Sequence, residues 1–256
     1  MDGGIKIEVA RHRLEISPPV HRIWMKHGEG SMELEAESTT KVFRPNAIDL
    51  DEDNTFQMTY LAPRLRVKGR AQFRGQPEVE LNDGMGIAIH SYSDTAEHKG
   101  AGSRLRFDTF DKDLQFSLLE IRRPKEVGEG KIGLLLLMRG GNIIHHAYTF
   151  VRHYTGYHRD PEKPHYPIPD GFKFSNIGMG RRVAGEVRFR QIYRLDVLKW
   201  VSSGLVRFLA RQVSQPLEYK FLADYRIESD LGAGPEKLSG TGFASVAILN
   251  RPPDDY

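Results

Sequence analysis

The 256-residue chain contains no cysteine. That removes disulfides, thiolate nucleophiles and cysteine-based zinc sites together, and it fits a reducing compartment. Tryptophan is scarce, with two copies. Long apolar runs are missing too. The longest, IGLLLLM from Ile132 to Met138, falls far short of the ~20 residues of a bilayer-crossing helix and reads as a fully buried strand. The opening MDGGIKIEVA has acid and glycine where a secretory signal needs an apolar core. The expectation is a cytoplasmic chain, at most peripheral to a membrane. An excess of one charge is also lacking: 37 Lys+Arg against 34 Asp+Glu leave +3, although the pI is near 9.0 and the mean hydropathy is -0.49. Nothing in that balance calls for nucleic acid as a partner. G-x-S-x-G, H-E-x-x-H and P-loop spacings do not occur. The acidic run Asp49 to Asp53 lacks the turn glycine and final glutamate of an EF-hand loop. No metal and no cofactor are therefore expected.

What the chain has in quantity is period-two alternation. IKIEVARHRLEI, TFQMTYLAPRLRVKGRAQFRG, SRLRFDTFD, LQFSLLEIRR and RVAGEVRFRQIYR alternate as half-buried strands do. Asn82-Asp83-Gly84 and Gly140-Gly141-Asn142 read as hairpin turns. YHRDPEKPHYPIPDG, with Pro161, Pro164, Pro167 and Pro169, reads as a long surface loop. Arg64, Arg66, Lys68 and Arg70 fall on one face of their strand. That is usually the solvent face, and a lipid headgroup or a second copy of the chain are the other readings.

One segment departs from the strand pattern. LDVLKWVSSGLVRFLARQ, Leu195 to Gln212, spaces its apolar residues as a helix over about 195–211. Val197, Leu198, Val201, Leu205, Phe208 and Leu209 would share one face, with Lys199, Trp200, Arg207 and Arg211 roughly opposite. The fold class expected is mainly β: an antiparallel lipocalin-like (calycin) barrel with one C-terminal amphipathic helix on its wall. Trp200 with its cations is the candidate for peripheral contact with anionic lipid.

The segments YLAPRLRVKGRAQF, RLRFDTFDKDLQFSLLEIRRP, DPEKPHYPIPDGFKF, LDVLKWVSSGLVRFLARQVSQPLEYKF and SGTGFASVAIL occur in an order that resembles the fungal cell-survival-factor (survival factor one) family, over about residues 55–250. That family is related in fold to double-lipocalin-like proteins, including carotenoid hydratases and fungal pericyclases. Glu97-His98 stands where the family has two histidines, Leu105 after Arg104 where it has tryptophan, and Arg122-Arg123-Pro124 where it has T-T-P. The resemblance implies that residues 1–50 are N-terminal strands, the remnant of a first lipocalin-like half or partial second barrel, and that 51–256 form the lipocalin-like β domain, the family's second half. It also implies a cavity for an apolar ligand, and a part in stress survival and sphingolipid carriage.

His145 and His146 are adjacent in a strand and must point to opposite faces, so they cannot share a metal. His90 and Tyr92 share a face, and an inward pair could orient a ligand or move a proton. The function expected is binding or transport of a lipid or other apolar small molecule. Tyr60, His90, Tyr92, Phe107, Tyr148 and Trp200 are the ligand-binding candidates. The alternative is a non-redox isomerase, hydratase or cyclase of a terpenoid- or polyketide-like substrate, with His90, Tyr92, His98 and Arg104 as its catalytic candidates. The partners expected are an apolar small molecule or lipid, with membrane surface and homodimer as open readings.

Overall fold

A computed structural model describes residues 4–27, 30–45, 48–49, 55–73, 75–93, 101–111, 114–123, 130–178, 180–196, 198, 204 and 216–249. Among the described residues the alternation materialises as sixteen strands in two antiparallel sheets. The first sheet holds β1 (Ile5–Val9), β2 (His12–Ser17), β3 (Val20–His27), β4 (Gly30–Ser38), β5 (Ile48–Asp49), β6 (Thr55–Phe73) and β7 (Val79–Ser93). The second holds β8 (Ser103–Thr109), β9 (Leu114–Arg122), β10 (Lys131–Arg139), β11 (Asn142–Ala147), β12 (Val151–Arg159), β13 (Pro167–Gly178), β14 (Arg181–Asp196), β15 (Leu217–Asp230) and β16 (Pro235–Ile248). The chain divides into two compact units: Met1–Ala47 with Gln57–Tyr92, and Ile48–Phe56 with Ser93–Tyr256. The first sheet thus runs on through β6 and β7.

In the first sheet the order is β1-β2-β3-β4-β6, with β5 and β7 also pairing β6. Register turns isolated charges into rows. Lys6 faces Glu15, Glu15 faces Arg22, Arg22 faces Glu35 and Glu35 faces Lys68. The next row runs Glu8, Arg13, Trp24, Glu33, Arg70. Lys68 Nζ lies 2.8 Å and Arg22 Nε 3.2 Å from Glu35, and Arg70 Nη2 lies 2.9 Å from Glu33. Arg13 stacks on Trp24 at 4.7 Å, and the indole N–H donates to Glu33 at 3.2 Å. Lys68 and Arg70 are therefore ion-paired with the acids of β4, which neutralise half of the basic face suggested by their own strand. The opposite face carries Ile7, Leu14, Ile23 and Leu34 in register, ending at Gly69. Gly69 sits at φ +143, and a Cβ there would lie 2.1 Å from the Glu33 carbonyl oxygen. The expected turn at Asn82-Asp83-Gly84 is instead strand, within β7. Gly84 and Gly86 let that strand lie against Val67 and Leu65 of β6.

In the second unit the order is β11-β10-β9-β8-β16-β15-β14-β13-β12. The sheet rolls up. Four strands separate β9 from β13 in that order, yet Phe116 stacks on Phe174 with centroids 4.9 Å apart, and Phe107 meets Phe172 edge-on at 5.9 Å. The rolled interior is packed with Leu105, Leu118, Leu135, Leu137, Val187, Phe221 and Tyr225 around these rings. The expected closed barrel is corrected: the end strands β11 and β12 are not hydrogen-bonded to each other, so this is an open roll. The turn at Gly140-Gly141 is as expected, with φ of 53° and 83° joining β10 to β11. The long proline loop shrinks to residues 160–166, because β12 runs to Arg159 and β13 starts at Pro167. Pro167 and Pro169 fit there, since β14 pairs β13 only from Gly171 onward and leaves their nitrogens without a ladder partner to miss.

The expected C-terminal helix is also corrected at its start. Leu195 and Asp196 end β14, paired with Glu218 and Leu217. Extending a ladder satisfies their backbone groups as a helix would. Of the rest of that segment only Leu198, which is buried, and Gly204 are described. Lys199, Trp200, Leu205, Arg207 and Arg211 lie outside the described residues. Among the described residues, no helix is long and apolar enough to cross a membrane.

Candidate functional site

The interior face of β9 is set by its apolar residues: Phe116 and Leu118 point into the roll. Period two then turns Glu120 inward too. Leu105 of β8 and Gly133 of β10 flank it in register. A carboxylate in such a place demands a partner, because an unpaired buried charge costs many kcal/mol. The partner comes from the far edge of the sheet. Arg152 of β12 sits beside core residue Phe174 in register and reaches Glu120 with two donors, Nη2 to Oε1 and Nε to Oε2, the latter at 3.3 Å. Both side chains are almost completely buried, at 2% and 4% exposure. The guanidinium lies over the Tyr154 ring, 3.8 Å from its centroid. Arg122 adds a second cation, with Nε 3.7 Å from Glu120 Oε1. Gly133 leaves room for the Phe150 ring, since a Cβ there would lie 2.5 Å from Phe150 Cε1.

The electrostatics follow from burial. Burial pushes the Tyr154 phenol well above its ordinary range, so it stays a neutral O–H. Burial alone would lower Arg152, but the hydrogen bond and charge of Glu120 act against it, and its pKa stays raised. The site is thus a paired carboxylate beside a neutral phenol, at one end of an interior otherwise built from aromatic and aliphatic groups.

A second polar group lies in the same inter-strand row. Glu120 faces Leu105, Leu105 faces Val246, and Val246 faces Tyr219. Tyr219 is fully buried and donates to Asp160 Oδ2 at 2.7 Å. Arg194 Nη1 donates to Asp160 at 2.9 Å, and the Glu162 N–H does so at 2.8 Å. Burial would raise the Asp160 carboxyl; these hydrogen bonds, with the Arg194 charge, outweigh it and hold it below the usual carboxylate range. With its donor bound to Asp160, Tyr219 is pushed above the ordinary phenol range, first by burial. Asp160 also ties down the 160–166 turn, which closes through Tyr166 N to Lys163 O at 2.8 Å.

The sequence-predicted residues fall in several places. Phe107 is at the heart of the roll, ringed by Phe116, Phe172 and Tyr225 at 5.8–6.0 Å. Tyr148 follows β11, half-buried and edge-on to His146 at 5.7 Å. Arg104 is half-buried on β8, facing Ile121. Tyr60 is buried in the first unit against Phe43, with ring centroids 6.3 Å apart. His90 and Tyr92 are exposed on β7, Tyr92 at 56%, rather than turned into a pocket. His98 and Trp200 lie outside the described residues. His145 is the half-buried member of its pair, with Nε2 3.2 Å from Asn176 Oδ1, and His146 is exposed. Burial lowers the His145 pKa. Among the described residues, no group of three or more histidines and carboxylates is placed to share a metal. Glu120, Arg152 and Tyr154 escaped the sequence reading. The available signal was one acid inside an otherwise apolar inward set, Phe116, Leu118, Glu120.

No family model matches the chain, and neither does any curated protein. The survival-factor resemblance therefore has no sequence-family support. Solved structures do match, and they are of lipocalin-like architecture. Kievitone hydratase from Nectria haematococca superposes with a TM-score of 0.62 at 11% identity, over 99% of this chain and 72% of its own. CghA gives 0.67 at 11% identity, over 94% and 68%. CghA crystallised with Sch210972 gives 0.64 at 12% over the same shares. An AttH-like protein from Nitrosomonas europaea gives 0.63 at 10%, over 96% and 70%. At these identities the likeness establishes the fold alone.

Proposed function

We propose that the second unit works as an enzyme without redox chemistry, a hydratase or cyclase that acts on an apolar, terpenoid- or polyketide-like small molecule. The observation that carries this reading is the Glu120–Arg152 pair in the apolar roll. A buried ion pair is often no better for stability than apolar residues of the same volume. A chain that keeps one, beside a neutral phenol and facing stacked aromatic rings, has the groups that proton transfer to or from a bound hydrocarbon requires. Glu120, paired with Arg152, is the proton acceptor in this scheme and returns the proton to the substrate as the product forms. Tyr154 donates a hydrogen bond to a substrate oxygen, and the aromatic interior folds a flexible chain into a reactive conformation. The fold shared with a hydratase supports this reading over simple carriage. Carriage of an apolar ligand is the second reading, favoured by the aromatic lining itself.

The test is a panel of unsaturated apolar compounds incubated with the full chain and analysed by mass spectrometry. Hydration appears as a gain of one water's mass, and cyclisation as an isomer of unchanged mass. The expected result is turnover lost in Glu120→Gln and reduced about 10²-fold or more in Tyr154→Phe, which keeps the ring under Arg152. Ligand that co-purifies and is recovered chemically unchanged, with no product in any arm, would leave carriage as the function.

A further inference from the structure

Among the described residues, β1 is an unpaired end of the first sheet: it bonds β2, and its other edge carries no strand. All five of its residues are exposed, with Ile5 at 57%, Ile7 at 47% and Val9 at 63%. Edge strands are normally blunted by proline, a bulge, shortness or a lysine. β1 is five residues long and carries Lys6, but it has no proline or bulge, and its register to β2 is unbroken from Ile5 to Val9.

The phase of its free edge can be derived. The β1–β2 loop has two residues, Ala10 and Arg11, so Val9 and His12 flank it as a hydrogen-bonded pair. Alternation then turns the backbone groups of Ile5, Ile7 and Val9 to β2, and those of Lys6 and Glu8 outward. A second β1 approaching antiparallel must bond through the same two residues. If the two-fold axis passes at Lys6, lysine meets lysine. If it passes at Glu8, glutamate meets glutamate. If it passes at Ile7, Lys6 meets the partner's Glu8 and Glu8 meets the partner's Lys6, while Ile7 packs on its own mate and Ile5 on the partner's Val9. In that register the charged row keeps its alternation across the axis. On one side run Lys68, Glu35, Arg22, Glu15 and Lys6; the partner's Glu8 and Arg13 follow. In the single chain these edge charges fold back on each other, with Lys6 Nζ 2.9 Å from Glu8 Oε1.

We infer that β1 is the docking edge for a second copy of this chain, joined antiparallel about Ile7 into one continuous sheet. The contact is isologous, its charges on one face and its isoleucines and valines on the other.

The chain's lack of cysteine provides the test. I7C places two thiols on facing residues of a non-hydrogen-bonded pair, within disulfide reach. Mild oxidation of full-length I7C is expected to give a covalent dimer, whereas I5C, whose neighbour is Val9, stays monomeric. Equal cross-linking of both variants, or none in I7C, would overturn the proposal. Sedimentation equilibrium supplies the second arm. K6E and E8K are each expected to weaken self-association about tenfold, as like charges come to face each other, and the K6E/E8K exchange to restore it. Circular dichroism of each variant separates loss of docking from loss of fold. A well-folded wild type that sediments as a monomer at every concentration, or an exchange variant no better than its parents, counts against it.

Discussion

Glu120 and Arg152 show how sharply one residue's role depends on another far away in sequence. Glu120→Ala leaves a guanidinium buried without its carboxylate, and the expected loss is about 3–5 kcal/mol in urea unfolding. Replacing both partners, Glu120→Gln with Arg152→Met, is expected to recover most of it, because no charge is then orphaned. If the double variant is as unstable as the single, the pair is not the unit of stability described above. Tyr219→Phe removes one donor to the Asp160 carboxylate and is expected to cost about 1–3 kcal/mol at neutral pH. The sign of its pH dependence is fixed by Asp160, whose folded pKa is depressed. Such a group stabilises above its unfolded pKa and loses that contribution as pH falls through the folded value. Wild type and variant should therefore converge on acidification below the ordinary aspartate range, which a set of melts across acid pH would reveal. Neither pair was legible in the sequence. Periodicity says which face Glu120 occupies, but its partner is set by the roll that carries β12 to β9, which no local pattern encodes.

Strands were the legible elements, because alternation is a property of one segment. The Gly140-Gly141 turn was legible for the same reason, since both positions need positive φ. Asn82-Asp83-Gly84 carried the same composition yet lies in β7, where the glycine serves a close approach to Val67. Turn chemistry and strand packing both select glycine, and the residue alone does not tell them apart. The charged rows of the first sheet were half legible: the cations of β6 were seen, but the acids of β4 that neutralise two of them come only with register. Hydrogen bonds from Arg70 and Lys68 hold Glu33 and Glu35 below the usual glutamate range. Their contribution is fully present above that range and fades as pH falls through the lowered values. Being exposed, it should also weaken with added salt. At Gly69 the element is less forgiving. Gly69→Ala forces a methyl toward the Glu33 carbonyl and is expected to cost more than ~1 kcal/mol, read as a lower melting temperature.

At the scale of the molecule, two compact units predict more than one cooperative transition. Calorimetry is expected to show two, with Gly69→Ala lowering one and Tyr219→Phe the other. A single transition shifted equally by both substitutions would contradict this division. The mainly antiparallel β architecture was legible from strand content and turn spacing. Which solved proteins share it came only with the comparison of three-dimensional structures, because 10–12% identity leaves the alternation and little else to recognise. The strand order of the second sheet has one more consequence. β8 is flanked by β9, made directly after it, and by β16, the last strand of the chain to be described. On the ribosome β8 to β11 can therefore form a meander whose β8 edge waits, unpartnered, until β16 has emerged. Closing that seam late is costly in loop entropy and slow. The nascent chain would present an adhesive strand until then, and slower translation of the codons for β12 to β16 should raise its dependence on chaperones.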